Sequence, residues 1–269
     1  MNWIDAHSSA AITLIVFALC YSVGALIFGI LRVLSKYRVA RDLEAITPAM
    51  VTPIGVIGGL LIAFLAARVW SNLDHANSYV GQEANAIREL DQLAGEMPPP
   101  VREAVRRGAQ TYVSWVTLQD WPQMVAGGGV TEPRPPGLLD ALTSIAAYNP
   151  VEAGQRAVQQ SALASLERAL DARRNRLLLS RQVIEGSQWA VVWALYVFSM
   201  LLVGFVHIPR PIAKAVAMWL YASTFALCIV LLSINDGPFR TGGYTLGPTL
   251  LKQLSEDQGL ASFELIRQR

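Results

Sequence analysis

The composition of this 269-residue chain is typical of a membrane protein, because 53% of its residues are hydrophobic, 16% are charged and the mean hydropathy is +0.36. The net charge of +2, with no basic stripe interleaved with aromatic residues, argues against a nucleic-acid partner. Cys20 and Cys228 lie singly within apolar stretches, which excludes a disulfide framework and a cysteine-based zinc site.

Four apolar stretches are each long enough to form a transmembrane helix, with about 20 residues and no charge in the middle. They are Ala10–Leu31, Met50–Trp70, Gln188–His207 and Ala213–Ile234. The flank before the first stretch carries Asp5 and no basic residue, so we expect a retained membrane helix and not a signal peptide. The predicted fold is an all-α membrane protein with four transmembrane helices and a helical bundle inserted between spans two and three.

The second span contains a strip of small residues spaced four apart. A helix advances by about 100° per residue, so the strip lies on one side, where another helix backbone can approach closely. Its members, which we predict to be helix-packing residues, are Gly55, Gly59, Ala63 and Ala67.

The rest of the second span has two interpretations. In the first, the small strip packs against neighbouring helices while Ile57, Leu61 and either Phe64 or Leu65 face a symmetry axis. Several copies of the chain would then form a hydrophobic constriction, with Arg68 at its mouth favouring anions. In the second, the span belongs to an ordinary close-packed helix pair within one subunit, and Arg68 reaches toward the lipid head groups.

The segment that follows the second span is predicted to be almost wholly helical. Apolar residues with three-and-four spacing continue from the span to Gly95, which indicates one continuous helix ending before Pro98. A second helix is predicted over Val101–Leu118, stopped by Trp121-Pro122. A flexible loop is expected over Gly127–Gly137.

Two more helices complete the predicted bundle. A short helix covers Leu138–Ala147, and a long helix runs from Val151 through Arg181 and continues into the third span. A final amphipathic helix is expected from Thr249. The predicted divisions are residues 1–70 and 187–235 for the two membrane pairs, 71–186 for the bundle and 236–269 for the C-terminal segment.

The orientation of the bundle stays open. The basic connections Arg32–Ala49 and His207–Lys214 favour a cytoplasmic position for both, which would place the bundle outside. Arg68 and the arginines between Arg173 and Arg181 flank the membrane on the bundle side and weaken this bias.

No catalytic signature is present, so we expect neither an enzyme nor a cofactor. The sequence lacks GxSxG, GxxxxGK[ST], HExxH and CxxC motifs. The carboxylates Glu83, Glu89 and Asp91 are interpreted as a solvated helix face.

A polar turn follows the fourth span and is marked by Asp236, Pro238 and Phe239. Glycine and proline there end the helix. A calcium site needs several carboxylate oxygens, and Asp236 stands alone, so no metal site is expected.

Several motifs together resemble a bacterial family of unknown function that is named for its likeness to the bestrophin anion channels. The matching stretches are GLLIAFLAARVW at Gly59–Trp70, EANAI at Glu83–Ile87, ARRNRL at Ala172–Leu177 and DGPF at Asp236–Phe239. The resemblance implies four spans per subunit, a pentamer, a neck lined by hydrophobic residues of the second span and a cytosolic bundle. The acidic run that clasps calcium in bestrophins is replaced here by RTGGYTLGP, which argues against calcium gating.

The sequence therefore predicts a homo-oligomeric, anion-conducting channel in a bacterial inner membrane, with the bilayer, its own copies and small inorganic ions as partners. The alternative is a non-conducting, membrane-anchored helical scaffold or sensor. Its natural contact with a protein or envelope partner would be the loop Gly127–Gly137.

Overall fold

The computed structural model describes residues 9–36, 51–126, 135–239 and 246–257, and within these ranges every regular element is helical. The helices are α1 (Ser9–Leu34), α2 (Val51–Gly95), α3 (Pro99–Trp115), α4 (Trp121–Val125), α5 (Leu138–Ala147), α6 (Ala153–Ser180), α7 (Gly186–Val206), α8 (Pro211–Asn235) and α9 (Thr249–Asp257). A π-helical segment, Val116–Asp120, joins α3 to α4. Most of the predicted loop Gly127–Gly137 lies outside the described residues.

In the described part of the chain, four helices are long and apolar enough to cross a membrane: α1, α2, α7 and α8. Helices α1 and α8 contain the predicted first and fourth spans, and α7 covers the third span as far as Val206. Helix α2 covers Val51–Trp70 of the second span and continues to Gly95. The prediction of an all-α membrane protein with four transmembrane helices is confirmed.

Helix α2 is continuous from the second span into the extramembrane segment, as the uninterrupted apolar stripe predicts. It has 45 residues, which corresponds to about 67 Å, or roughly twice the thickness of the hydrocarbon core. Six of the stripe residues are buried to 3% exposure or less, namely Ala76, Val80, Ala84, Ile87, Leu90 and Ala94. The stripe therefore forms one wall of the extramembrane core.

The prediction that Trp121-Pro122 stops the second bundle helix is wrong. The chain stays helical through both residues to Val125, because a π-helical segment widens the turn before them. The backbone N–H of Trp121 bonds to the carbonyl of Val116, five residues back. The wider turn starts a new helical register, with Pro122 in the first turn of α4, where no N–H is needed.

The prediction that the long bundle helix continues into the third span is also wrong. Helix α6 ends at Ser180, and α7 begins at Gly186 with its own cap. The side chain of Glu185 caps the first turn of α7, and the Gln188 side chain accepts from the Glu185 N–H at 3.2 Å. This reciprocal arrangement satisfies N–H groups at a separate helix start.

The chain divides into two compact units. The first takes its described residues from Met1–Ser71 and Val183–Asp236, and so contains α1, the span of α2, α7 and α8. The second takes them from Asn72–Gln182, Gly237–Arg240 and Thr245–Arg269.

The core of the first unit is built on close helix packing and on aromatic residues. A Cβ added at Gly204 of α7 would clash with Leu31 Cδ1 of α1, so glycine permits this approach. Tyr196 is fully buried, and its hydroxyl donates to the carbonyl of Cys20 at 2.7 Å. Its ring also stacks on Phe225 at 4.6 Å.

The core of the second unit depends on a backbone contact between α3 and the start of α5. A Cβ added at Gly108 would lie 2.5 Å from the carbonyl oxygen of Gly137. Gly137 itself has φ = 85°, a conformation that favours glycine. Two glycines therefore set the distance between these helices.

Replacing Gly108 with alanine is expected to destabilise the extramembrane helices by about 1–3 kcal/mol, because the new methyl group meets backbone and not a movable side chain. Thermal unfolding followed by circular dichroism in detergent measures the change. The matched control is Gly154→Ala, since no described atom outside its own helix backbone lies within 4 Å of the Cβ that alanine adds. Equal unfolding temperatures for the two variants would contradict the close contact.

Candidate functional site: the second span, the post-span turn and a buried ionic cluster

The span part of α2 is poorly covered by its own chain. Only 11% of its 18-residue apolar stretch is buried within the subunit, whereas the corresponding share is 28% for α1 and 33% for both α7 and α8. The buried side of this span is formed by Leu65 and Val69, which are 4% and 3% exposed and belong to the core of the first unit. The remaining sides of the helix face outward.

The predicted neck residues lie in different environments. Ile57 and Phe64 are 57% and 70% exposed, while Leu61 is half-buried. Leu65 is buried within the subunit. Of the two neck positions that the sequence leaves open, Phe64 faces outward and Leu65 faces inward.

The small strip also lies on the outward surface. All four of its residues, Gly55, Gly59, Ala63 and Ala67, are exposed. No described atom lies within 4 Å of a Cβ added at Gly55 or Gly59. Among the described helices of the subunit, none packs closely against Gly55 or Gly59.

Arg68 is held at the start of α7. Its Nη1 donates to Oε1 of Gln188 at 3.2 Å. The same amide oxygen accepts from the Glu185 N–H, so one side chain links the capping residue to the arginine. Arg68 is half-buried and has a defined position near the end of the span.

The post-span turn holds two buried anchors. Asp236 is 7% exposed, and its carboxylate accepts from the backbone N–H of Ile184 at 2.8 Å. Gly237 has φ = 111°, which allows the chain to turn sharply. In the second unit, Phe239 is 2% exposed and meets Trp121 edge to face at 5.5 Å. Asp236 and Phe239 thus make structural contacts, each within its own unit.

A buried ionic cluster in the second unit was missed by the sequence interpretation, which assigned Glu83 to a solvated helix face. Glu83 on α2 is completely buried. Its carboxylate accepts from Arg176 Nε and Nη2 of α6, at 2.7 and 2.9 Å, and from the hydroxyl of Tyr112 on α3. The solvated-face interpretation is therefore wrong for Glu83, although Glu89 does lie at the surface in a bridge with Arg168.

Asp120 supplies the second carboxylate of the cluster. It is 1% exposed and accepts from Arg173 at 3.0 and 3.2 Å and from Arg176 at 3.2 Å. Asp120 ends the π-helical segment, so the altered register helps to bring this carboxylate to α6. Among the described contacts of the cluster, two carboxylates therefore face two guanidinium groups.

Aromatic rings and a sulfur atom surround the two arginines. The guanidinium of Arg176 lies 5.3 Å from the ring centre of Trp121 and donates to Met124 Sδ at 2.7 Å. The guanidinium of Arg173 lies 5.0 Å from the ring centre of Trp115. Cation–π contacts of this kind strengthen when water is excluded.

The electrostatics of the cluster favour charged arginine and neutral tyrosine. Burial alone would lower the pKa of Arg176, but the adjacent Glu83 outweighs it and the pKa is raised. Burial raises the pKa of Tyr112 well above its usual value, and the neighbouring Glu83 charge raises it further. Tyr112 therefore acts as a hydrogen-bond donor at neutral pH.

Replacing Tyr112 with phenylalanine is expected to cost about 1.5–3 kcal/mol at pH 7, because the hydrogen bond to a charged carboxylate is lost. The raised pKa of Tyr112 means that its contribution is full below the unfolded-state pKa of about 10 and declines as the pH rises through the folded value. The stability difference between the two proteins should therefore narrow above about pH 10. Denaturation series at pH 7 and at alkaline pH measure it.

Tyr148→Phe is the matched control, since Tyr148 is half-buried and carries no described hydrogen bond from its hydroxyl. A Tyr112→Phe variant that behaves like this control at both pH values would contradict the role of the phenol.

The described residues bring together no group of three or more histidine, cysteine, aspartate or glutamate side chains that could hold a metal ion. Within the described residues, each carboxylate of the cluster pairs with at least one guanidinium group. Hydrogen bonds of the cluster link side chains of α2, α3 and α6 to one another and to Asp120. The cluster therefore helps to hold these helices in position within the second unit.

Comparison with known proteins gives one family match. The model of the bestrophin-like domain matches residues 18–250. No curated protein matches the chain.

Solved structures give the fold. Two mutants of a bacterial bestrophin homologue from Klebsiella pneumoniae are both 14% identical to this chain, with TM-scores of 0.67 and 0.68; each comparison covers 92% of this chain and 99% and 98% of the other, respectively. A further membrane protein is 16% identical, with a TM-score of 0.63 over 89% of this chain and 98% of the other. At these identities the likeness establishes the architecture alone.

Proposed function

Because the chain belongs to the bestrophin-like family, we propose that it forms a homo-oligomeric ion channel whose second span lines the conduction path. The observation that carries the proposal is the outward surface of α2. This surface joins exposed large residues, Ile57, Leu60 and Phe64, to the exposed small strip. Both sets of side chains stay exposed in the part of the subunit that the structure describes.

The two parts of this surface suit two different roles. Small residues allow a neighbouring backbone to approach closely, which is the usual basis of helix association in membranes. Large apolar residues around a symmetry axis form a constriction that gates by excluding water. In the proposed assembly the strip packs against a neighbouring subunit, and Ile57, Leu61 and Phe64 form the neck. Leu65 supports this face from within the subunit.

Arg68 is the proposed source of anion preference. It lies one helical turn beyond Phe64, near the end of the span, and its only described side-chain bond is to the neutral Gln188. One such arginine from each subunit would form a ring of positive charge beside the neck. Rings of arginine or lysine favour anions in pores.

The proposed location is the inner membrane of a bacterium, with the protein crossing the bilayer several times. The bilayer, the other subunits and small inorganic ions are the proposed partners. Asp236 and the turn Gly237–Phe239 would serve as structural anchors beside the last span. No calcium-dependent gating is proposed.

Ion flux from proteoliposomes tests the function. Purified protein is reconstituted, and efflux is compared under a chloride gradient and under a potassium gradient. Chloride-selective flux is the expected result. Potassium-selective flux would support a channel but contradict the proposed role of Arg68 in anion preference. Absence of flux from a folded oligomer would contradict channel function and favour a non-conducting scaffold.

A further inference from the structure

An apolar groove lies between α1 and α8 in the first unit. Small residues leave the space, notably Gly24, Ala25 and Ala215, and the aromatic rings of Tyr21, Phe28 and Trp219 also line it. Its volume is about 270 Å³. A cavity of about 150 Å³ accommodates benzene, so this groove has room for a longer apolar chain. A second depression shares Ala25 and continues along α1 to Leu34.

The groove approaches the basic end of the helix pair. Lys214, in the first turn of α8, is only 2% exposed, and its Nζ lies 4.9 Å from the ring centre of Phe28. Arg32, in the last turn of α1, interacts electrostatically with Lys214. Arg210 caps α8 one turn before Lys214, and its carbonyl accepts the Lys214 N–H at 2.9 Å.

Among the described residues, no carboxylate forms an ion pair with Lys214, Arg32 or Arg210. Lys214 and Arg32 therefore lie near each other at one end of a membrane helix pair, and Lys214 is almost fully buried. Burying a cation is costly without an anionic partner. The arrangement contrasts with the ionic cluster of the second unit, where every guanidinium faces a carboxylate.

We propose that this groove binds a membrane lipid with an anionic phosphodiester head group. The phosphate lies at Lys214 and Arg32, and one acyl chain lies along Phe28 and Trp219. Basic pockets between transmembrane helices bind anionic head groups in this way. The lipid completes the charge balance at this end and fills the space left by the small residues. The inference does not depend on ion conduction.

Native mass spectrometry of the detergent-solubilised protein tests the site, with dioleoyl phosphatidylglycerol and dioleoyl phosphatidylcholine added in separate titrations. Wild-type protein is expected to retain phosphatidylglycerol adducts in preference to phosphatidylcholine. Lys214→Gln should weaken phosphatidylglycerol binding by about fivefold, the effect of one basic residue near an anionic lipid. Ala215→Leu should weaken binding of the acyl chain by filling the groove.

Two variants serve as matched controls. Arg88→Gln removes one exposed positive charge outside the spans, and Ala194→Leu adds the same bulk at an exposed position of α7 that does not line the groove. Both should bind phosphatidylglycerol as the wild type does. Helical circular dichroism and oligomer mass, measured for all four variants, identify any that fail to fold.

Equal affinity for the two lipids would overturn the proposal. Folded Lys214→Gln and Ala215→Leu proteins that both bind phosphatidylglycerol as tightly as the wild type would also overturn it. Displacement of the lipid by millimolar inorganic phosphate would assign the basic end to a free anion and overturn the lipid site. If Ala215→Leu dissociates the oligomer and the wild type carries no lipid, a second copy of the chain occupies the groove, and the proposal fails.

Discussion

Replacing Arg176 with methionine should destabilise the second unit by about 3–5 kcal/mol, more than either Tyr112→Phe or Gly108→Ala. The side chain is completely buried, and among the described residues it alone bonds both Glu83 and Asp120. Methionine fills much of the same space and removes the charge. Glu83 then remains buried with only the Tyr112 hydroxyl as a described partner. The apparent Tm of the helical circular dichroism signal should fall by about 10 °C.

The matched control is Arg168→Met on the same helix. Arg168 bridges to Glu89 at 2.8 Å, but both side chains are largely exposed. Exposed ion pairs contribute little to stability because water and salt screen them, so this variant should unfold close to the wild type. Similar Tm values for the two methionine variants would contradict the energetic importance of the buried cluster.

A double variant separates the charge effect from packing. Adding Glu83→Gln to Arg176→Met removes the uncompensated carboxylate, while Asp120 keeps its two bonds from Arg173. Part of the lost stability should therefore return, since removing both partners of a buried pair costs less than removing one. A double variant that is less stable than Arg176→Met would show that shape, and not charge, governs the site.

Replacing Phe64 with alanine should raise ion conductance severalfold in the proposed channel. The ring is 70% exposed in the subunit and is the largest side chain of the proposed neck. Alanine would widen the neck and lower the barrier that excludes water. Because the ring has little contact within its own subunit, folding should be unaffected. Single-channel recording in planar bilayers measures the conductance directly.

Leu227→Ala is the matched control, since Leu227 is 60% exposed on α8 and makes no part of the proposed neck. Its conductance should equal that of the wild type. Leu61→Ala should also raise conductance, but its half-buried side chain adds a packing effect that Phe64 lacks. Unchanged conductance in an active Phe64→Ala channel would show that Phe64 does not line the neck.

The approximate positions of the helices, and which of them cross the membrane, were predictable because they depend on hydropathy and apolar periodicity over many residues. The four spans follow from length and hydropathy, and the continuity of α2 follows from a stripe without a breaker. Two boundaries were not predictable from local rules. Pro122 is tolerated because the π-helical segment changes the register before it, and α6 ends at Ser180 although no proline follows closely.

The site could be predicted only in part, because burial depends on which helix meets which. The helical spacing on α2 placed the small strip and the predicted neck residues on different sides, but it could not separate Phe64 from Leu65, which are adjacent in the sequence. Glu83 has the same local context as exposed carboxylates on α2. Its partner Arg176 is 93 residues away, and no local pattern joins them. The motifs EANAI and ARRNRL marked both segments without revealing the ion pair.

The central claim, that the second span lines the conduction path, is tested most directly by a cysteine at Phe64. The two native cysteines, Cys20 and Cys228, are first replaced by alanine. A water-soluble thiol reagent is then applied to proteoliposomes that contain the Phe64→Cys or the Leu227→Cys protein. The account predicts that the reagent blocks chloride flux through Phe64→Cys and leaves Leu227→Cys unaffected. Unblocked flux through a conducting Phe64→Cys protein, together with block of Leu227→Cys, would contradict it.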